Sequence, residues 1–198
     1  HGDTAHEKTL EAKCDWIKAD QLDVAKNALE RGEKMRLFKN KIEPADVHKG
    51  GATHTWLASA FACLAEHPGA VRNCFRNTEH SDRGKYQINL YNGHACAWEV
   101  ITVDDYFPVK TGTGKPMYMT PNENELWAIL LEKAVAKFMG GYSSLDGGYA
   151  SWAFTVLTGD KSFFFKSEDF GWRLHDMRFV VRGGKHVIGD VVYDQAVD

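Results

Sequence analysis

No apolar run in this chain approaches the roughly 20 residues that a membrane-crossing helix needs, so a transmembrane segment is excluded. Positive charge is not in excess either. The 24 basic and 27 acidic residues leave a formal charge of -3, which excludes the electrostatic footprint of a nucleic-acid binder. Cysteine is scarce: Cys14, Cys63, Cys74 and Cys96 fit no C-x-x-C spacing, which excludes the common zinc and redox motifs and leaves free thiols of a reducing compartment. His94 and Cys96 in "HAC" lack a second ligand pair at zinc-like spacing, so no zinc site is assigned to them. Internal repeats and low-complexity linkers are absent. The chain starts at His1 rather than Met, and the native N-terminus, with any targeting or lipidation signal, is expected to lie outside it.

What is present suffices for a packed core. The 198 residues are 43% hydrophobic and 12% aromatic, the size of one ordinary domain or one and a half small ones. Leu10, Cys14 and Ile17 fall on one helical face, which predicts helix over the first thirty residues, with a restart near Asp20 and a stop at Gly32. "TWLASAFACLAE" predicts a helix from Thr55 to Glu66, apolar on nearly every face and hence buried all round. From Lys85 the period changes to two, and "NG" at Asn92–Gly93 predicts a hairpin. "KPMYMT" predicts a third strand, "NELWAILLEKAVAKFM" a helix over 124–139 stopped by Gly140–Gly141, and "SSLDGGYASWAF" a loop. "SFFFK" and "MRFVVRGGKHVIGDVVY" read as strands, and a weak composition shift over 158–160 is the one candidate boundary. The aromatics of "SFFFKSEDFGW" read either as core of a C-terminal sheet or as a partner surface.

"TGTGKP" is a turn and not a phosphate loop, because it lacks the P-loop spacing, carries Pro116 where a metal-holding hydroxyl belongs, and precedes a strand. "KGGATHTWLASAFACL" asks a harder question. A glycine turn entering a helix is where a thiolate nucleophile gains most from the dipole and the unpaired N–H groups. At that junction the chain carries His54 and Thr55.

This stretch resembles the protease core of calpains, the calcium-dependent cysteine peptidases. "WLASAFACLAEHP" resembles the family's Trp-Leu-Leu-Ala-Ala helix, and "VDDYFPV" its Val-Asp-Asp-x-x-Pro strand end. "NELWAILLEKAVAKFMGGYSSLDGG" is similar throughout to the family's long helix and Gly-Gly loop, and "FTVLTGD" to the end of the first core subdomain. Together they cover roughly residues 20–160 in order. The resemblance implies an α+β, papain-like calpain protease-core subdomain, with a central buried helix on a small antiparallel sheet. It divides the chain into subdomain 1 over 1–160, with N-terminal helices over 1–32, and a C-terminal β segment over 161–198, an extension or the beginning of a second subdomain. It also implies an intracellular, cytoplasmic protein, with any membrane or cytoskeletal association carried by other parts.

The departures fall at the chemistry. Active members head the helix with a nucleophilic Cys and place an oxyanion-hole Gln six residues before it. Thr55 takes the Cys position, Lys49 the Gln, His54 the usual Asp and Thr53 the usual Gly. A Cys beside His can hold a standing thiolate, whereas a Thr hydroxyl stays protonated, and threonine nucleophiles use their own N-terminal amine as base. Neighbouring helical residues point about 100° apart, so His54 does not face Thr55. Cys63, eight residues on, stands about 12 Å along the axis. His186 in "KHVIGDVVYD" arrives too soon after "LTGD" to be the family's catalytic His, and no Asn-Pro-Trp follows.

Calpain cores also hold Ca²⁺ in this subdomain. The resemblance places its carboxylates at Asp46 and Glu125, with backbone carbonyls from "KNK" (Lys39 to Lys41), where Lys41 replaces a Gly. The competing reading makes Glu125 a first-turn carboxylate favouring its helix dipole and Asp46 a turn residue bonding local backbone. Two functions follow: a catalytically silent core kept for regulatory or protein contacts and responsive to calcium, or part of an active endopeptidase completed by sequence outside this chain. A protein or polypeptide partner is expected in either case.

Overall fold

A computed structural model describes residues 14–39, 41–50, 54–67, 69–168, 171–182 and 185–193; for residue 168 and for residues 175–193 only the backbone is described. The densest part of the core is a helix, Trp127–Met139, in which every side chain is buried except Lys133 and Lys137. Those two lysines reach along its flank to a sheet. The Lys133 ammonium donates to the carboxylate of Asp104 and the carbonyl of Tyr106, and the Lys137 ammonium donates to the Thr102 carbonyl at 2.7 Å. Apolar residues on every other position but Glu132 explain the burial, and the stems of the two lysines cover the rim.

Around this helix, designated α4, the described elements run in order: β1 (Cys14–Lys18), α1 (Asp23–Glu30), α2 (Thr55–Ala65), α3 (Ala70–Cys74), β2 (Lys85–Asn92), β3 (Ala97–Asp104) and β4 (Tyr106–Lys110) before it, then α5 (Ala150–Thr158), β5 (Phe163–Glu168), β6 (Gly171–Arg182) and β7 (Lys185–Tyr193) after it. All pairing between these strands is antiparallel: β1 with β4, β2 with β3, and β5 with β6 with β7. The class is α+β. Tyr86, Ile88 and Leu90 of β2 are fully buried and alternate with partly exposed residues, the period of two read in the sequence.

Several expectations are corrected. Residues 14–18 form a strand rather than helix, because β4 supplies backbone partners from Lys110 back to Tyr106 that no local pattern reveals; Leu10, the start of the expected stripe, lies outside the described residues. "KPMYMT" makes only isolated bridges, Val109 with Pro116 and His48 with Thr120, since Pro116 has no N–H to extend a ladder. The end of the segment read as a loop, residues 150–154, instead opens α5, which is stopped by Gly159 at φ +78°. The hairpin turns over four residues, 93–96, rather than two, and the buried Asn92 side chain holds it by accepting from the N–H groups of His94 and Ala95. Finally, α2 is not buried all round: Thr55, Ser59 and Cys63, four residues apart, form an exposed line along it.

The glycine turn before α2 has a steric reason. A Cβ on Gly50 would lie 1.3 Å from the carbonyl oxygen of Tyr118, a backbone atom that cannot swing away. Gly50→Ala is therefore expected to destabilise the fold by about 3 kcal/mol, the upper range for overpacking, as read by urea denaturation. An unchanged midpoint would show that the two segments do not approach so closely.

Candidate functional site at the head of α2

His54 is the residue before the first turn of α2, and its carbonyl accepts from the N–H groups of Leu57 and Ala58, both at 3.1 Å. Its imidazole does not cap the helix. It turns into the core, where it is only 3% exposed, and Nδ1 meets Glu132 Oε1 at 2.9 Å. Glu132 comes from the middle of α4 and is 1% exposed; its other oxygen accepts from the Met119 N–H at 2.9 Å. Burial pushes the Glu132 carboxyl above the usual carboxylate range, and the imidazole beside it offsets part of that rise. The His54 ring stacks on Tyr118 at 4.9 Å, and Tyr118 stacks in turn on Tyr142 at 4.2 Å. Desolvation carries the Tyr118 hydroxyl up to about 12, so Tyr118 stays uncharged at neutral pH. On the far edge of the ring, Nε2 stands 3.7 Å from Asp146 Oδ1, beyond hydrogen-bond reach.

Thr55 points the other way. It is exposed at the start of α2, and its carbonyl accepts from the Ser59 hydroxyl at 2.9 Å. The two residues thus diverge, as consecutive helical positions must. Trp56, next in line, donates from Nε1 to the Leu145 carbonyl at 2.9 Å. Gly148 packs against the same indole so closely that a Cβ there would come within 2.6 Å of the ring. The glycine loop after α4 is thereby held against the head of α2. Lys49 is exposed, Thr53 lies outside the described residues, and Cys63 is exposed two turns further along α2. His186 sits on β7 opposite Val181, its side chain outside the described residues. Cys96 occupies the hairpin turn at φ +51°, and His94 and Cys96 gather no further ligands: among the described residues no group of three or more His, Cys, Asp or Glu is placed to hold a metal. Cys74 is buried, and its thiol is pushed up to about 12, an inert packing group.

Of the two carboxylates expected for calcium, Asp46 lies near enough for its charge to raise the Glu125 carboxyl. Asp46 ends a short 3-10 turn, Pro44–Asp46; its Oδ2 accepts from the Glu43 N–H at 2.7 Å and its Oδ1 from the Asn122 amide at 2.8 Å. Glu125 precedes α4 rather than lying in its first turn, and the neighbouring backbone is zipped to 36–39. The N–H of Leu126 donates to the Arg36 carbonyl at 3.0 Å, that of Trp127 to Leu37 at 3.1 Å, and that of Lys39 to Glu125 Oε1 at 2.6 Å. Glu125 Oε2 is buried with no hydrogen-bond partner. Burial pushes this carboxyl up to about 7; the Lys39 N–H opposes the rise, and the Asp46 carboxylate adds to it. An orphaned carboxylate oxygen beside a second carboxylate has the polarity a hard cation needs, and in that respect the residues fit calcium.

Sequence reasoning missed Glu132, Asn122 and Arg72. For Glu132 a signal existed. It is a lone acid at i+4 from Ala128 and at i-3 and i-4 from Val135 and Ala136, the apolar face of its helix. For the other two no local pattern marks a role.

Comparison with known proteins places this geometry. The profile described as Calpain family cysteine protease matches residues 3–179. The chain is 32% identical over 152 residues to "Calpain-type cysteine protease DEK1" of Zea mays, which covers 76% of this chain and 7% of that protein. It is 34% identical over 118 residues to "Calpain-12" of Homo sapiens (58% of this chain, 16% of that protein) and 30% identical over 135 residues to "Calpain-5" of Mus musculus (64% and 21%). The chain belongs to the calpain cysteine protease family and spans between 7% and 21% of the length of these relatives.

Proposed function

We propose that this chain is a papain-like calpain core subdomain without catalytic chemistry, kept for regulatory contact with a protein partner and responsive to calcium. One observation carries the reading: the side chain at the nucleophile position, Thr55, is an exposed alcohol whose neighbouring imidazole is committed to Glu132 in the core. Among the described residues no general base is hydrogen-bonded to that hydroxyl. The expected oxyanion donor is replaced by Lys49, an exposed flexible ammonium rather than a preorganised amide, and one lost oxyanion donor alone lowers rate by on the order of 10² to 10³. The residues that would hold calcium are Asp46, Glu125 and the loop carbonyl at Lys39. The ion would neutralise the two carboxylates and tie the 34–39 loop to the start of α4.

The test uses the full-length parent protein, assayed with fluorogenic peptides and a thiol-directed active-site probe, with and without millimolar calcium. No turnover above buffer and no labelling dependent on position 55 is the expected result. Peptide turnover that disappears in Thr55→Ala would establish the opposing reading, an active endopeptidase completed by sequence outside this chain.

A further inference from the structure

The basic groups near the calcium-type carboxylates are unequally disposed. The Lys39 ammonium turns outward to Glu123 at 3.4 Å, and the Lys41 ammonium pairs with Glu43. Arg31 is likewise engaged, by Glu33 at 2.9 Å and Glu123 at 3.4 Å. Arg72 is different. It projects from α3 with its guanidinium 4.6 Å from the centre of the Phe38 ring, and Nη2 donates to the Lys39 carbonyl at 2.9 Å. Phe38 is itself fixed edge-on against Phe75, 5.2 Å away, so the stacking platform is rigid. The carbonyl that a calcium ion would need is therefore already accepting from a cation, held in place by an aromatic face. The carboxylate oxygens are largely taken as well, by the N–H groups of Glu43 and Lys39 and by the Asn122 amide, with Glu125 Oε2 unpartnered.

We propose that Arg72 is the resident cation of this site: it holds the Lys39 carbonyl in the absence of metal and competes with calcium for it. This inference rests on the calcium reading only for its competitive half. The structural half, that a guanidinium anchors the 34–39 loop through its charge and its fork of donors, stands without any metal. A flexible ammonium is a poor substitute, because it cannot stack flat on Phe38 while donating sideways to a carbonyl.

The experiment measures thermal unfolding in EGTA and calcium titration by calorimetry on the wild-type chain, Arg72→Met and Arg72→Lys. Met keeps an apolar stem over Phe38 without charge; Lys keeps the charge without the fork. Arg72 reaches the site from solvent, so the expected fall in melting temperature for Arg72→Met in EGTA is modest, roughly 3–6 °C. Arg72→Lys is expected to lie between it and the wild type. Calcium is expected to bind Arg72→Met about tenfold more tightly than wild type, and to restore its melting temperature. A lowered melting temperature with no calcium heat in any of the three proteins upholds the resident cation and removes the calcium reading. Wild-type melting of Arg72→Met in EGTA, or a Lys variant as unstable as the Met variant, overturns the proposal. Equal calcium affinity in wild type and Arg72→Met overturns the competition while leaving the calcium reading in place.

Discussion

Glu132→Ala unfolds about 3–5 kcal/mol more readily than the parent chain in urea titration, the range for breaking a buried pair from one side. The loss has several sources. The His54 imidazole, 3% exposed, keeps its polar Nδ1 but loses the hydrogen-bond partner 2.9 Å away. The Met119 N–H, which donates to the other carboxylate oxygen, is stranded in the core, and each such orphan costs about 1–3 kcal/mol. For a domain whose whole stability is about 5–15 kcal/mol, this is a large fraction. Glu132→Gln leaves an amide that can still accept from Met119, so its penalty is expected to be about 1–2 kcal/mol. The pair His54→Leu with Glu132→Leu removes both polar partners together and is expected to cost far less than the sum of the single changes. Additive single effects in that double-mutant cycle would sink the claim that the two side chains are coupled.

The same pair shows what the sequence makes legible and what it hides. Local patterns with local causes were readable: the stop at Gly32, which sits at φ +79°, the span of α2 from Thr55, the β2–β3 hairpin, and the long apolar run of α4. Each depends on residues within a few positions of one another. What could not be read depends on pairings across the chain. Residues 14–18 carry helical spacing and yet form a strand, because β4, which begins at Tyr106, 88 residues after Lys18, offers a complete backbone ladder. Trp56 sits on the expected helix, but its indole donates to Leu145, 89 residues away. His54 reads as a residue beside the nucleophile position that does not face Thr55, but nothing local shows that its partner is 78 residues downstream. Likewise the lysines of "KNK" are the visible threat to a cation site, yet both turn outward, and Arg72 from α3 meets the loop carbonyl. The family likeness names Asp46 and Glu125 as expected ligands; the donors that occupy their oxygens were beyond it.

Glu125→Gln is expected to melt at nearly the same temperature as the wild type at pH 4.5 and well above it at pH 8. The Glu125 carboxyl is pushed up to about 7 in the folded chain, from an ordinary value of 4.5, chiefly because it is buried. A raised folded value means that the native state binds this proton more tightly than the unfolded chain does. The resulting stabilisation is complete below about 4.5 and is lost as pH rises through 7. A gap of about 2.5 pH units at 1.36 kcal/mol each is on the order of 3 kcal/mol, and the residue is only 1% exposed, so water screens little of it. Gln has nothing to ionise and keeps a carbonyl for the Lys39 N–H, which the carboxylate accepts at 2.6 Å. Other buried groups, Glu132 among them, bend the curve of both proteins alike, so the informative quantity is the difference between the two. Parallel curves from pH 4.5 to 8 would refute the assignment. Under the proposed calcium response, millimolar calcium closes the gap at pH 8 from the wild-type side, because a divalent ion beside Glu125 Oε2 supplies the charge that burial denies it.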